Sequence, residues 1–232
     1  MTTPVTFSAI DGTPIYYGSP GNYSRISIRA ESSFYNKLVT WIRTLRSYSS
    51  SYGGTSFSSL SWLGHVGAYV CKDGCHGRGR ALDLNYVQWN GYALNIYGGA
   101  HASGTLSVRR RYLAVDAACR KHLKYTLDGW YNSAHANHIH MDDHTAPILS
   151  RSASSDTKFV QAVCNNFNNA GLSIDGIWGS LTEAAWDNIN SRWSYTACDP
   201  FTSASAYGEW CNLVMRHGFA NVSAGYYVSS AC

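Results

Sequence analysis

An acid stands inside an apolar run. In "RALDLNYVQW", residues 80–89, Asp83 sits between Leu82 and Leu84 in a stretch whose pattern predicts a strand. Alternate residues of a strand share a face, so Asp83 lies on the face of Ala81. A carboxylate on a covered face is costly unless a cation or a set of donors meets it. The fold must therefore bring Asp83 a partner. The arginines just upstream are one choice and a metal ion is the other. His76, seven positions earlier, opens the glycine-rich turn "CHGRGR", but on this segment alone the arginines are the more ordinary partners.

A second segment adds to that choice. "HANHIHMDD", residues 135–143, alternates as a strand does, which places His138 and His140 on one side. His76, Asp83 and His140 together offer two neutral imidazoles and a carboxylate. That donor set belongs to catalytic zinc sites, which keep a fourth position for water. Such borderline donors favour Zn²⁺ over Mg²⁺ or Ca²⁺, with copper and nickel also accommodated. The remaining histidines, at 65, 101, 122, 144 and 217, are read as surface or core residues, and His135 as one near the site.

The rest of the chain supplies a frame. Residues 1–30 read as short strands broken by turns, 32–46 as an amphipathic helix with Phe34, Leu38, Trp41, Ile42 and Leu45 on one stripe, and 47–61 as a polar loop. Residues 61–70 predict a strand and 106–123 a second helix. The expected fold is α+β: a small antiparallel sheet carries His76, Asp83 and His140 on one face and helices on the other. The small polar stretch 145–157 marks a boundary between domains at 1–150 and 151–232. The second domain is all-α, with a capping box at "SLTE" (Ser180, Glu183) and a last helix over 203–217.

Charged residues make up only 14% of the 232, while there are 17 tyrosines, 8 tryptophans and 21 glycines. This composition suits a folded extracellular protein. Seven cysteines without a second closely spaced pair favour disulfides and an oxidising compartment. The expected bridges are Cys164–Cys198, Cys211–Cys232, and Cys119 with Cys71 or Cys75. No apolar run is long enough to span a membrane. "MTTPVTFSAIDG" has no leader character, so an exported chain would be the mature form with an added Met. A net charge of +4 is too weak and scattered for nucleic acid but suits an anionic polymer such as a cell wall. "RRR" at 109–111 is read as the solvated face of a helix.

Two stretches resemble known families. "HGRGRALD" matches H-x-x-G-x-A-x-D, and "NHIHMD" the closing strand, of the zinc D-alanyl-D-alanine carboxypeptidase/lysostaphin/hedgehog superfamily. Within it the chain most resembles D,D-peptidases and extensin-like C-terminal domains, over roughly residues 30–145. The resemblance implies His76, Asp83 and His140 as zinc ligands and His138 as the catalytic histidine. It also implies Arg78 as a binder of a substrate carboxylate. One position departs: many D,D-carboxypeptidases carry a Glu base three residues before the last ligand, where this chain has Asn137. His138, Asp142 or Asp143 then takes that role, or the domain holds zinc without cleaving peptides. "FVQAVCNNFNNAGLSIDGIWGSLTEAAW" is similar to the helical peptidoglycan-binding repeat, through Asp175, Gly176, Gly179 and Thr182, with Trp178 and Trp186 as candidate glycan contacts. Together these imply a secreted, monomeric zinc metallopeptidase that acts on peptidoglycan. The alternative is a non-hydrolytic zinc protein of the wall.

Overall fold

The acid-bearing strand lies in the middle of a mixed sheet. The computed structural model describes residues 3–70 and 73–225. In chain order the elements are β1 (Pro4–Phe7), β2 (Ala9–Ile10), β3 (Thr13–Ser19), β4 (Asn22–Ser24), β5 (Ile28–Glu31), α1 (Ser32–Tyr52), β6 (Leu60–Gly67), β7 (Ala81–Trp89), β8 (Ala93–Asn95), α2 (Leu106–His122), β9 (Tyr125–Leu127), β10 (Ile139–Asp142), α3 (Ser154–Asn168), α4 (Ser180–Arg192) and α5 (Ala204–Ala220). The main sheet runs β2-β3-β6-β7-β10-β9, with β4 beside β3 and β8 beside β7, while β1 and β5 form a separate pair.

The α+β class is as expected, but the sheet is neither small nor purely antiparallel. It has eight strands among the described residues, and β3 runs parallel to β6. The long α1 lies between them in sequence, and a helical connection of this length is what lets a chain re-enter a sheet in the same direction. Leu82, Leu84, Val87 and Trp89 of β7 are buried in one core with Leu38, Trp41 and Leu45 of α1 and Leu113 and Val115 of α2. Each fully buried Leu or Ile there contributes about 1.5–3 kcal/mol. Asp83 alternates with Leu82 and Leu84, so the helices leave its face open.

Two boundaries differ from the sequence reading. Helix α1 continues to Tyr52, through residues expected to be loop. Ser49 turns inward and accepts a hydrogen bond from Trp89 Nε1 at 3.0 Å, and the rings of Tyr48 and Tyr52 lie 5.7 Å apart. The helix stops at Gly53, where a Cβ would come within 2.5 Å of the Phe57 ring. The expected strand 135–143 shortens to β10, because Asn132 accepts from the His135 amide at 3.2 Å and curls the chain into a 3-10 turn, Ser133–His135.

The three C-terminal helices share the core of the sheet and of α2. Trp210 and Val214 of α5 and Phe159 and Val163 of α3 belong to it. Among the described residues no disulfide forms, against the expected staples. Cys75, Cys119, Cys164, Cys198 and Cys211 are all free, which removes the Cys164–Cys198 bridge, while Cys71 and Cys232 lie outside the described residues. Cys119, Cys164 and Cys211 are buried on three different helices and serve as small apolar packing residues. The capping box does not form either. Gly179 is the N-cap of α4, and the Glu183 carboxylate bonds Arg151 at 2.9 Å and the Trp178 indole. Trp186 is buried and Trp178 packs edge-on against it, so neither forms a free stacking surface. The D-G-x-x-G-x-x-T stretch closes instead around Gln161 of α3, whose amide nitrogen donates to Asp175 at 2.8 Å and to Thr182 at 3.2 Å. Its oxygen accepts from the Gly176 amide.

Candidate metal centre

Three elements deliver the three donors. His140 stands on β10 directly opposite Asp83 on β7. His76 comes from a 3-10 turn, His76–Arg78, which ends on Gly79 in the left-handed region at φ 70°. That backbone favours glycine and explains half of the glycine-rich turn. Gly67 of β6 explains the close packing beside the acid. A Cβ there would fall 2.0 Å from Asp83 Oδ2, so only glycine leaves the carboxylate its place.

The donor atoms converge. His140 Nδ1 lies 2.8 Å from Asp83 Oδ1, His76 Nε2 lies 3.3 Å from the same oxygen, and the two ring nitrogens are 3.3 Å apart. A tetrahedral cation with bonds of about 2.0–2.1 Å holds its ligand atoms roughly 3.3 Å apart. His76, Asp83 and His140 are thus a group that fits a metal ion, as the sequence suggested. The other nitrogen of each ring is also occupied. His76 Nδ1 donates to the Ala68 carbonyl at 2.6 Å, and His140 Nε2 faces Asp142 Oδ2 at 3.3 Å. Such backing fixes tautomer and ring orientation in metal-binding histidines.

Electrostatics follow the same geometry. Burial alone would raise Asp83, but hydrogen bonds from His140 and His76 hold its carboxyl well below the usual range. Burial opposes charge on His140, yet its bonds to Asp142 and Asp83 push it up to about 9. His138 and His135 move the other way. Burial and the neighbouring imidazoles lower His138 and take His135 down to about 4.

His138 lies beside the group, its Nε2 3.9 Å from Asp83 Oδ1. Its Nδ1 donates to Asn137 Oδ1 at 2.8 Å, so the residue standing where a Glu was expected orients the histidine instead. Asp142 stands behind His140. Asp143 is held by Arg80 at 2.6 Å and Lys37 at 3.0 Å, so both acids already have partners. Arg78 is exposed on its turn and joins none of these contacts. His135 packs 5.0 Å from the His138 ring, and its nearness in sequence was the only sign of it. The histidines read as surface or core residues do not join the donor group: His65, His101 and His217 are buried, His122 bonds Thr44, and His144 is exposed. No family model, curated protein or solved structure matches this chain.

Proposed function

We propose that the chain is a secreted, monomeric zinc metallopeptidase that hydrolyses peptide bonds in peptidoglycan stem peptides or cross-links. The observation that carries this is the donor group itself: two imidazoles and a carboxylate whose donor atoms lie 2.8–3.3 Å apart, each imidazole backed on its second nitrogen. Oxygen–nitrogen sets of this kind suit zinc. When bound, zinc supplies Lewis-acid polarisation of the peptide carbonyl and activation of water near neutral pH. Its ligands would be His76 Nε2, Asp83 Oδ1 and His140 Nδ1. His138, whose pKa burial lowers and whose Nε2 lies 3.9 Å from Asp83, would take a proton from the attacking water and return it to the leaving amine. Arg78 is available to a substrate carboxylate through its planar fork. The wall as substrate rests on the two sequence resemblances.

One observation favours a second reading, a zinc-holding wall protein without hydrolysis: no uncommitted carboxylate stands beside the group, since Asp142 and Asp143 are both engaged. Mass spectrometry of peptidoglycan fragments separates the two. The expected result is a chelator-sensitive loss of terminal D-Ala or of a cross-link, abolished by His138→Ala while bound zinc stays at one per chain. Unchanged fragments from a zinc-loaded protein would establish the second reading.

A further inference from the structure

The arginine run 109–111 is not a solvated face. Arg111 lies over the rings of Phe57 and Tyr92, at 5.2 and 4.9 Å, and Arg110 is 7% exposed. Among the described residues no carboxylate meets Arg110. Its guanidinium donates to the Asn166 carbonyl at 2.9 Å, the Asn221 carbonyl at 3.1 Å and the Ser223 hydroxyl at 2.6 Å. Arg109 likewise bonds only neutral oxygens, of Asn166 and Ser103. Both arginines stand in the opening turns of α2, whose amide dipoles already make that end positive. A buried cation without a counter-charge, next to another cation and a helix N-terminus, is an expensive arrangement.

These groups face a cavity of about 370 Å³. Arg109, Arg110 and Arg192 line it, together with Phe167 and the asparagines 168 and 169, and no Asp or Glu among the described residues does. Arg192, at the end of α4, bonds Asn188 Oδ1 at 3.0 Å and no other side chain among the described residues. None of the metal-centre residues belongs to this cavity.

We propose that this cavity is a binding site for a phosphate group carried on a small organic molecule. Three guanidiniums offer more donors than the two oxygens of a carboxylate accept, which favours a tetrahedral oxyanion. The volume exceeds what a lone ion fills, which leaves room for its carrier. The proposal is independent of the metallopeptidase reading.

Calorimetric titration of the full chain in chloride buffer tests it, with inorganic phosphate in one arm and glycerol 3-phosphate in the other. Saturable binding is expected in both, tighter for glycerol 3-phosphate. Arg192→Gln, at an exposed position that leaves the fold intact, weakens it by about tenfold, and Arg109→Gln does the same. The exposed Arg29→Gln leaves it unchanged. Absence of saturable binding, or an equal loss in Arg29→Gln, overturns the proposal.

Discussion

Two clusters of acids and bases in this protein obey opposite rules. On the open face of the sheet, the candidate metal centre brings together donors only: Asp83 and two imidazoles, with no arginine or lysine between them. At the interface of α2 and α3 a second cluster contains its own cation. Arg120, 1% exposed, donates to Asp116 at 3.0 Å, Asp128 at 3.0 Å and Asp156 at 3.1 Å, and its guanidinium lies 4.4 Å from the centre of the Phe159 ring. Lys124 adds a second bond to Asp156 at 2.7 Å. Burial and the neighbouring Asp128 raise Asp116 well above the usual carboxylate range, against the pull of Arg120. The helical cluster is closed and ties α2, the loop after β9, and α3 together. The sheet cluster is arranged to accept something from outside. A group of carboxylates marks a site only when its own side chains do not already complete it.

The sharpest way to break this contrast is to remove the inner cation. Arg120→Met keeps most of the volume but leaves buried acids without a partner, and we expect a loss of about 3–5 kcal/mol in urea denaturation. A loss below about 1 kcal/mol would mean that the cluster does not hold the helices. The sheet cluster should respond in the opposite currency. Asp142→Asn keeps the bond to the His144 amide but weakens the support of His140. Zinc affinity, read by competition with a chromophoric chelator, falls about 10–100-fold while the denaturation midpoint of the metal-free protein barely moves.

The smallest effect concerns a histidine outside both clusters. His122 Nε2 lies 2.8 Å from Thr44 Oγ1, and burial with the nearby Lys121 takes its pKa down to about 4. Because the folded value lies below the unfolded one of about 6.5, its contribution is intact above pH 6.5 and is lost as pH falls toward 4. The difference in stability between pH 7 and pH 4.5 should shrink by on the order of 1–2 kcal/mol in His122→Gln. An unchanged difference would assign the acid sensitivity to other groups, among them His65, which burial also takes down to about 4.

The metal centre was legible because its signals are local. An acid inside an apolar strand, a histidine on a glycine-rich turn and an H-x-H pair each carry their chemistry in a few residues. What supports them was not legible. Gly67, the Ala68 carbonyl and the turn of Asn132 act across strands or through backbone, and neither spacing nor composition records that. The Asp two positions after His140 was visible, but its place behind the imidazole follows only once β10 is known to be a strand. The cysteines misled for a related reason. Seven of them suggest bridges, yet a buried thiol on a helix packs like any small apolar side chain. The serine-rich stretch after residue 46 misled as well, since Ser49 is inward-facing only because Trp89 needs an acceptor.

The register of β10 against β7 sets when this protein becomes competent as well as where. Asp83 and His140 are 57 residues apart in sequence, and Ile15 faces Leu63 across the whole of α1. Closing such loops costs chain entropy before any contact repays it, whereas β7 and β8 meet through a tight local turn. During refolding the helices and the β7–β8 hairpin come first, and the two halves of the donor group meet only when β10 docks. The rate at which a refolding chain assembles its donor group is therefore the rate of its slowest long-range pairing.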